Sequence, residues 1–225
     1  MSKPIVIAVD GPGGAGKGEL TKRLARSLGY ELLDSGAIYR VLAYAARKAG
    51  LALFDEDSLV QEALVVNLAF DPQEDGVHVI LNGEDVSLAI RTEEAGANAS
   101  KVAVLPRVRQ ALLARQRDFR QEPGLVADGR DMGTVVFPDA QVKIFLDASC
   151  EVRAKRRVLQ LERSGEKADY AAILQEITER DERDRNRAVA PLKPADDAVI
   201  IDSSDMTIDE VFNKAMDIVR EKLDK

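Results

Sequence analysis

The sequence predicts an α/β fold, with a core of about five short parallel strands wrapped by helices and a small antiparallel β insertion. Two observations support the core: short apolar runs alternate with helical patterns along most of the chain, and a glycine-rich loop joins the first run to a helix. Continuous apolar runs are typical of parallel strands that are buried on both faces. A third observation, one stretch of strict apolar alternation, predicts the insertion. Ligands of such sheets bind at the carboxyl ends of the strands.

The first strand covers residues 5–9 and leads into a phosphate-binding loop that fills the frame G-x-x-x-x-G-K. The helix after it is indicated by Leu20, Leu24 and Leu28, and Gly29 marks its end. A loop between a strand and a helix directs backbone N–H groups and the positive helix end at one anion. The lysine adds a mobile positive charge. The loop consists of Gly11, Pro12, Gly13, Gly14, Ala15, Gly16, Lys17 and Gly18.

One position departs from the usual frame, which ends in a serine or threonine that helps to hold Mg²⁺. Here Lys17 is followed by Gly18 and Glu19. A carboxylate beside phosphates repels them unless it reaches the metal or turns to solvent. Thr21 lies two positions further along the helix and is not assigned the missing role. The prediction of a nucleotide site does not depend on this position.

The chain then continues with short strands and helices. Residues 30–33 read as the second strand, with Ser35 as the N-cap of a helix over 37–49 that Gly50 closes. A further helix covers residues 58–66. The insertion follows: Val77, Val79 and Leu81 alternate with other residues, Asn82-Gly83 supplies a hairpin turn, and Leu68 and Phe70 belong to the partner strand.

The second half completes the core. Pro106 divides two helices, at 93–104 and 107–121. The final helix begins with a capping box formed by Thr207 and Glu210. Between the helix at 107–121 and the final helix, we predict strands at 125–127, 142–146 and 198–201, and helices at 150–164 and 170–186.

Composition limits the classes of function. The chain has 225 residues, enough for a real core, and a net charge of −7, which argues against broad nucleic-acid binding. Cys150 is the single cysteine and suits a reducing compartment. No run approaches the roughly 20 apolar residues that span a bilayer, and the N-terminus lacks the pattern of a signal peptide. We therefore expect a cytoplasmic protein that does not bind membranes, with a monomer as the default.

Asp128 directly follows an apolar strand, where phosphoryl-transfer proteins place a carboxylate that holds Mg²⁺, often through water. The alternative is an aspartate that only caps the end of the strand. His78 lies within the predicted hairpin and is interpreted as structural, because catalysis would need partners that the sequence does not show. Cys150 begins a helix and is interpreted as a small packing residue.

Arginines form a pattern as well. Arg180, Arg183, Asp184 and Arg187 fall at i, i+3, i+4 and i+7, on one face of a helix. A guanidinium group can donate two parallel hydrogen bonds to one phosphate, so several arginines can neutralise a transferring phosphoryl group. The alternative is a solvated helix with Glu–Arg pairs, because acidic residues are interleaved.

Four segments occur together in a familiar order and spacing: residues 11–18, 33–40, 128–134 and 180–187. On these segments the chain closely resembles the bacterial cytidylate kinases, over nearly its full length and including the insertion. The second and fourth segments are far more specific than the glycine loop. Glu19 is the motif position that departs, because the family usually has threonine there.

The resemblance implies transfer of the γ-phosphoryl group of ATP, bound with Mg²⁺, to CMP or dCMP. It implies catalytic roles for Lys17, Arg130, Arg187 and Arg157, and ATP binding by the loop, Glu19 and Arg153. It also implies a kinase core (1–61, 101–149 and 188–225), a monophosphate-binding insertion (62–100) and a helical lid (150–187). The residues implied to bind CMP are Ser35, Arg40, Ser100, Arg109, Arg130, Asp131, Arg180, Asp184 and Arg187.

Alternative functions stay open on the sequence alone. A kinase of the same fold could act on UMP or another small acceptor; Asp131 and Arg109 together favour cytosine. A nucleotide-binding module without turnover is a second alternative. Nucleic-acid binding by the arginine-rich helix is a third, disfavoured by the net negative charge.

Overall fold

A computed structural model of the chain describes residues 3–73 and 76–223. It divides into two compact units, Met1–Leu33 with Arg117–Lys225, and Asp34–Gln116. The predicted partition into core, insertion and lid is a different division and stays a prediction. The strands are β1 (Val6–Asp10), β2 (Glu31–Asp34), β3 (Leu68–Gln73), β4 (Gly76–Leu81), β5 (Glu84–Asp85), β6 (Leu125–Gly129), β7 (Val142–Asp147) and β8 (Val199–Asp202).

The helices follow the predicted order, with boundaries shifted by a few residues. Pro106 begins its helix, where the missing N–H of proline costs nothing. The capping box of the last helix is confirmed, because Thr207 and Glu210 exchange side-chain-to-backbone hydrogen bonds. The helices are α1 (Lys17–Leu28), α2 (Ser35–Lys48), α3 (Glu56–Val65), α4 (Glu93–Val102), α5 (Pro106–Arg117), α6 (Cys150–Arg163), α7 (Tyr170–Arg185) and α8 (Ile208–Leu223).

The first unit contains the predicted five-stranded sheet, in the order β2-β6-β1-β7-β8. β1 pairs in parallel with both β6 and β7, and all five of its residues are buried, as its apolar sequence requires. At the carboxyl end, Asp10 is in register with Gly129 on one side and Phe145 on the other. The loops that follow these three strands therefore leave the sheet at one edge.

The second unit contains helices α2 to α5 and the sheet β3-β4-β5. β3 and β4 pair antiparallel, which confirms the predicted insertion. Asn82 and Gly83 both have positive φ (50° and 86°), as a two-residue hairpin turn requires. The turn joins β4 to β5, a strand that sequence analysis missed because it is only two residues long.

The N-cap prediction for α2 was wrong. Asp34 holds that position, and its side chain accepts a hydrogen bond from the N–H of Ala37 at 2.9 Å. Ser35 is the first helical residue, and its buried hydroxyl is engaged elsewhere in the unit. Aspartate and serine are comparable caps, so propensity could not decide between two adjacent residues. Among residues 3–73 and 76–223, no helix has both the length and the apolar character to cross a membrane.

Candidate nucleotide-binding site

The glycine loop connects β1 to α1 with the close backbone contacts that its composition predicts. A Cβ on Gly11 would lie 2.0 Å from the carbonyl oxygen of Leu146, so only glycine fits there. Gly16 caps α1 in the left-handed conformation, with φ of 101°. The helix therefore begins at Lys17, and its unpaired N–H groups lie beside the loop. This arrangement suits a bound anion.

Lys17 is folded into the loop, and its side chain is only 5% exposed. Its Nζ donates to the carbonyl oxygen of Pro12 at 2.9 Å and lies 3.8 Å from Oδ1 of Asp128. Burial, followed by repulsion from the Arg130 guanidinium, lowers the pKa of Lys17 to about 8. A bound phosphate would counter the cost of burying the Lys17 charge and its repulsion by Arg130. The electrostatics of the site therefore favour binding of an anion.

Two arginines from distant parts of the sequence approach the same loop. A Cβ on Gly13 would lie 3.4 Å from Nη2 of Arg130 and 3.5 Å from Nη1 of Arg180. Arg130 follows β6 and Arg180 lies on α7, so the tertiary fold brings them together. Both guanidinium groups also lower the pKa of Lys17 through charge repulsion. Arg130 and Arg180 thus converge with Lys17 on the glycine loop.

Asp184 links these cations. It is buried, and Nε of Arg130 donates to its Oδ2 at 3.2 Å. Burial alone would raise the pKa of Asp184, but the charges of Arg130, Arg187 and Arg180 together lower it. Asp184 therefore stays ionised and holds the arginines near one another.

The arginine-bearing face of α7 is directed inward. Asp181, Asp184 and Arg187 are buried, whereas the interleaved Glu179 and Glu182 are exposed. This arrangement contradicts the alternative of a wholly solvated helix. Nε of Arg187 donates to the carbonyl oxygen of Asp184 at 3.3 Å, at the end of the helix.

Arg153 occupies a position that sequence analysis did not anticipate. It is 2% exposed, and Asp181 accepts from both of its terminal nitrogens, at 3.1 Å for Nη1. Its other donors reach the carbonyl oxygens of Gly13 and Ala148, both at 2.9 Å, and Sγ of Cys150. All five N–H groups thus have protein partners. Arg153 supports the glycine loop through its backbone, and direct contact with ATP stays a prediction.

Arg157, on the next turn of α6, is half-buried. Its Nη1 donates to Oε1 of Gln160 on the same helix at 2.9 Å. The catalytic role of Arg157 stays a prediction.

Cys150 is also half-buried, and its contact with Arg153 agrees with the interpretation as a packing residue.

A metal ion accompanying a nucleotide would find one well-placed carboxylate. A Cβ on Gly18 would lie 3.8 Å from Oδ2 of Asp128, which puts this group beside the start of α1. The Glu19 side chain is 60% exposed, and its Oε1 lies 4.0 Å from Nε of Arg23, so it is directed to solvent. The Thr21 hydroxyl donates to the carbonyl oxygen of Lys17. Within residues 3–73 and 76–223, no cluster of three acidic, histidine or cysteine side chains forms a metal cage. A single carboxylate fits Mg²⁺, which keeps waters and takes its other ligands from phosphates.

The second unit carries four of the predicted acceptor residues, and each has a defined environment there, whereas buried Asp131 belongs to the first unit. The Ser35 hydroxyl donates to Oε1 of Gln116 at 2.7 Å, and both residues are buried. Arg109 is buried with its guanidinium 5.5 Å from the centre of the Tyr39 ring, and it donates to the carbonyl oxygen of Ala103.

Arg40 lies one and a half turns into α2, and its Nη2 donates to Asp34 at 2.8 Å. Ser100 is buried on α4. Both residues therefore belong to the same compact unit as Ser35 and Arg109.

Three polar residues that support these groups were missed. Arg109, Leu112 and Gln116 recur at helical spacing and share the buried face of α5. Two polar residues on one buried helix face were therefore a sequence signal that could have identified Gln116. Asp181 is one of the acidic residues interleaved with the arginines of α7, and nothing in the local sequence distinguishes it from the exposed ones. Asp10 lies at the end of an apolar strand, a position similar to that of Asp128. Its hydrogen-bond partners, the N–H groups of Met132 and Gly133, lie more than 120 residues further along the chain, so local sequence does not indicate them.

Comparison with known proteins agrees with this geometry. The family model described as cytidylate kinase matches residues 7–221. The chain belongs to the cytidylate kinase family. The cytidylate kinase of Vibrio parahaemolyticus is 60% identical over 222 residues, covering 99% of this chain and 98% of that protein. The cytidylate kinase of Pasteurella multocida is 58% identical over 224 residues, covering 100% and 99%. The predicted resemblance is therefore confirmed.

A solved structure titled TT1252, from Thermus thermophilus, aligns over 99% of both chains with a TM-score of 0.48 and 20% identity. The α/β architecture of the cytidylate kinase family member described here is established by its own sheets, with five strands in one and three in the other. The predicted fold class is confirmed.

Proposed function

We propose that the protein transfers the γ-phosphoryl group of ATP to the phosphate of CMP or dCMP, giving ADP and CDP or dCDP. The observation that carries the proposal is the convergence of Lys17, Arg130 and Arg180 on one glycine loop. Membership of the cytidylate kinase family supports the same nucleotide substrates. A phosphotransferase needs this arrangement because positioning and charge neutralisation, and little covalent chemistry, determine its rate.

The residues around the glycine loop have distinct proposed roles in binding the two phosphate groups. The glycine loop and Glu19, through the backbone N–H groups that every residue of 11–19 except Pro12 carries, hold the ATP phosphates together with the ammonium of Lys17. Arg130 and Arg187, oriented by Asp184, bind the acceptor phosphate and neutralise charge on the transferred group. Arg157 adds a further charge from α6.

Other residues hold the donor side in place. Arg153 fixes the loop at Gly13, and the helical segment 150–187 excludes water from the site as a lid. Asp128 would hold Mg²⁺ through water, and the ion would supply charge neutralisation at the β- and γ-phosphates of ATP.

Recognition of the acceptor is assigned to further polar residues. Arg40 binds its phosphate, while Ser100, Arg109 and Asp131 read the cytosine edge and Ser35 lies near the nucleotide. Arg180 and Asp184 contact the sugar. The burial of Ser35, Ser100, Arg109 and Asp131 supports these roles, because a buried polar group discriminates strongly between partners that do and do not satisfy it.

A coupled assay of ADP release with CMP, dCMP, UMP and AMP tests the proposal. We expect CMP and dCMP to give kcat/KM at least about 100-fold above AMP, since a site built to hydrogen-bond one base rejects another. Equal or higher turnover with UMP would support the alternative acceptor. ATP binding without ADP release with any acceptor would support a module without turnover.

We also propose a monomeric protein of the cytoplasm. The single cysteine suits a reducing compartment. Light scattering coupled to size-exclusion chromatography would give a mass near 24.6 kDa for a monomer. A doubled mass would contradict the monomeric state without affecting the proposed reaction.

A further inference from the structure

Asp10 is a buried carboxylate at the end of β1 that none of the roles above uses. It lies one residue before the glycine loop and is 4% exposed. Its Oδ1 accepts from the N–H of Met132 and its Oδ2 from the N–H of Gly133, both at 2.8 Å. Each oxygen therefore holds one backbone donor of the segment that follows β6.

That segment is a π-helical turn, Met132–Val136, and Asp131 occupies its cap position. The first N–H groups of a helical turn have no partner within the turn, and the cap side chain usually satisfies one of them. Asp131 makes no such bond. Asp10 supplies the cap from a neighbouring strand instead, so the Asp131 side chain is not committed to capping its own turn.

The backbone around this turn is closely packed. A Cβ on Gly133 would lie 3.5 Å from Oδ2 of Asp10 and 3.1 Å from Cδ of Lys143. A Cβ on Gly129 would lie 2.7 Å from Cγ of Met132. Two glycines thus allow the backbone on either side of Arg130 and Asp131 to approach its neighbours closely.

We propose that Asp10 is a positioning residue that holds Arg130 and Asp131 in the geometry that binds the acceptor nucleotide. The inference rests on the proposed function, in which Arg130 binds the acceptor phosphate and Asp131 reads the base. Asp10 joins the strand that carries the donor loop to the turn that carries the acceptor residues. The carboxylate therefore sets the position of one substrate relative to the other.

The variant Asp10→Asn tests the proposal. Its side chain keeps the size of the carboxylate but replaces one accepting oxygen with an amide that faces a backbone N–H. The matched control is Asp202→Asn, at the carboxyl end of the edge strand β8, where the carboxylate accepts from Ser204 N–H at 2.9 Å in its own turn. Steady-state constants for CMP, UMP and ATP are measured for both variants and the wild type.

In Asp10→Asn we expect the KM for CMP to rise about 10-fold or more, because the amide NH₂ leaves a buried backbone N–H group without its acceptor. The KM for ATP should change less than about two-fold, and the preference for CMP over UMP should fall about five-fold or more, because Asp131 loses its fixed position. A purely structural role would lower the unfolding temperature without changing this preference. Asp202→Asn should match the wild type in all three constants.

The inference is overturned if Asp10→Asn keeps the wild-type CMP constants and base preference, or if the KM values for CMP and ATP rise equally. Should Asp10→Asn fail to fold, Asp10→Glu keeps the carboxylate but displaces both accepting oxygens by one methylene, and the same criteria apply to it. A wild-type protein that does not phosphorylate CMP would instead refute the proposed function.

Discussion

The Arg153–Asp181 pair gives a prediction whose magnitude follows from burial. Arg153 is 2% exposed and Asp181 is 3% exposed, and two parallel hydrogen bonds join them. Asp181→Asn keeps the shape but removes the charge, leaving a buried guanidinium without its counter-ion. Breaking one partner of a buried pair costs about 3–5 kcal/mol. For a chain of this size, that loss lowers Tm by roughly 6–20 °C, at about 2–4 °C per kcal/mol.

The assay is urea unfolding and calorimetry of the full chain, with Asp217→Asn as the control. Asp217 pairs with Arg220 at 3.1 Å, but its side chain is 73% exposed. An exposed pair contributes about 0–1 kcal/mol. Because Arg153 also donates to the carbonyl oxygen of Gly13, we further expect Asp181→Asn to raise the KM for ATP. A stability loss below about 1 kcal/mol, or no difference from the control, would refute this reasoning.

Three further predictions concern the loop and its surroundings. Lys17→Ala and Arg130→Ala should each keep the fold by circular dichroism and lower kcat/KM about 100-fold or more; near-normal turnover would remove that residue from its role. Because the pKa of Lys17 is lowered to about 8, its charge is lost above that pH, so kcat/KM for ATP should fall between pH 7 and pH 9.5 in the wild type. In Lys17→Arg, whose charge persists, this decline should be absent, and a decline of the same size would contradict the assignment. Burial raises the pKa of Asp10 from 3.8 to about 7, despite hydrogen bonds from the backbone of Gly133 and Met132. Between these values the native state holds a proton that the unfolded state has released, so stability falls as pH rises, by roughly 4 kcal/mol at most. Urea titrations at pH 5 and pH 8 cover about two of these three pH units and should show a loss of roughly 3 kcal/mol in the wild type but not in Asp10→Asn; parallel curves would exclude it.

Local sequence patterns predicted most of the helices and strands and the glycine loop. The apolar run before the glycine loop, the leucines of α1 and the Thr207–Glu210 capping box each describe neighbours within a few residues, and the structure confirms all three. The frame G-x-x-x-x-G-K predicted the loop for the same reason, because its glycines are required by local backbone geometry. Resemblance over four segments predicted the family, which comparison confirms.

Tertiary structure decided which side chains share an environment. Arg130 and Arg180 are 50 positions apart, yet both lie over Gly13, and Asp181 differs from its exposed neighbours only because Arg153 is packed against it. Asp10 likewise caps a turn that lies 122 residues further along the chain. Helical periodicity shows which residues share a face, but burial and charge partners depend on what the fold places against that face. The sequence therefore determined the loop and its helix, and packing decided which charges support them.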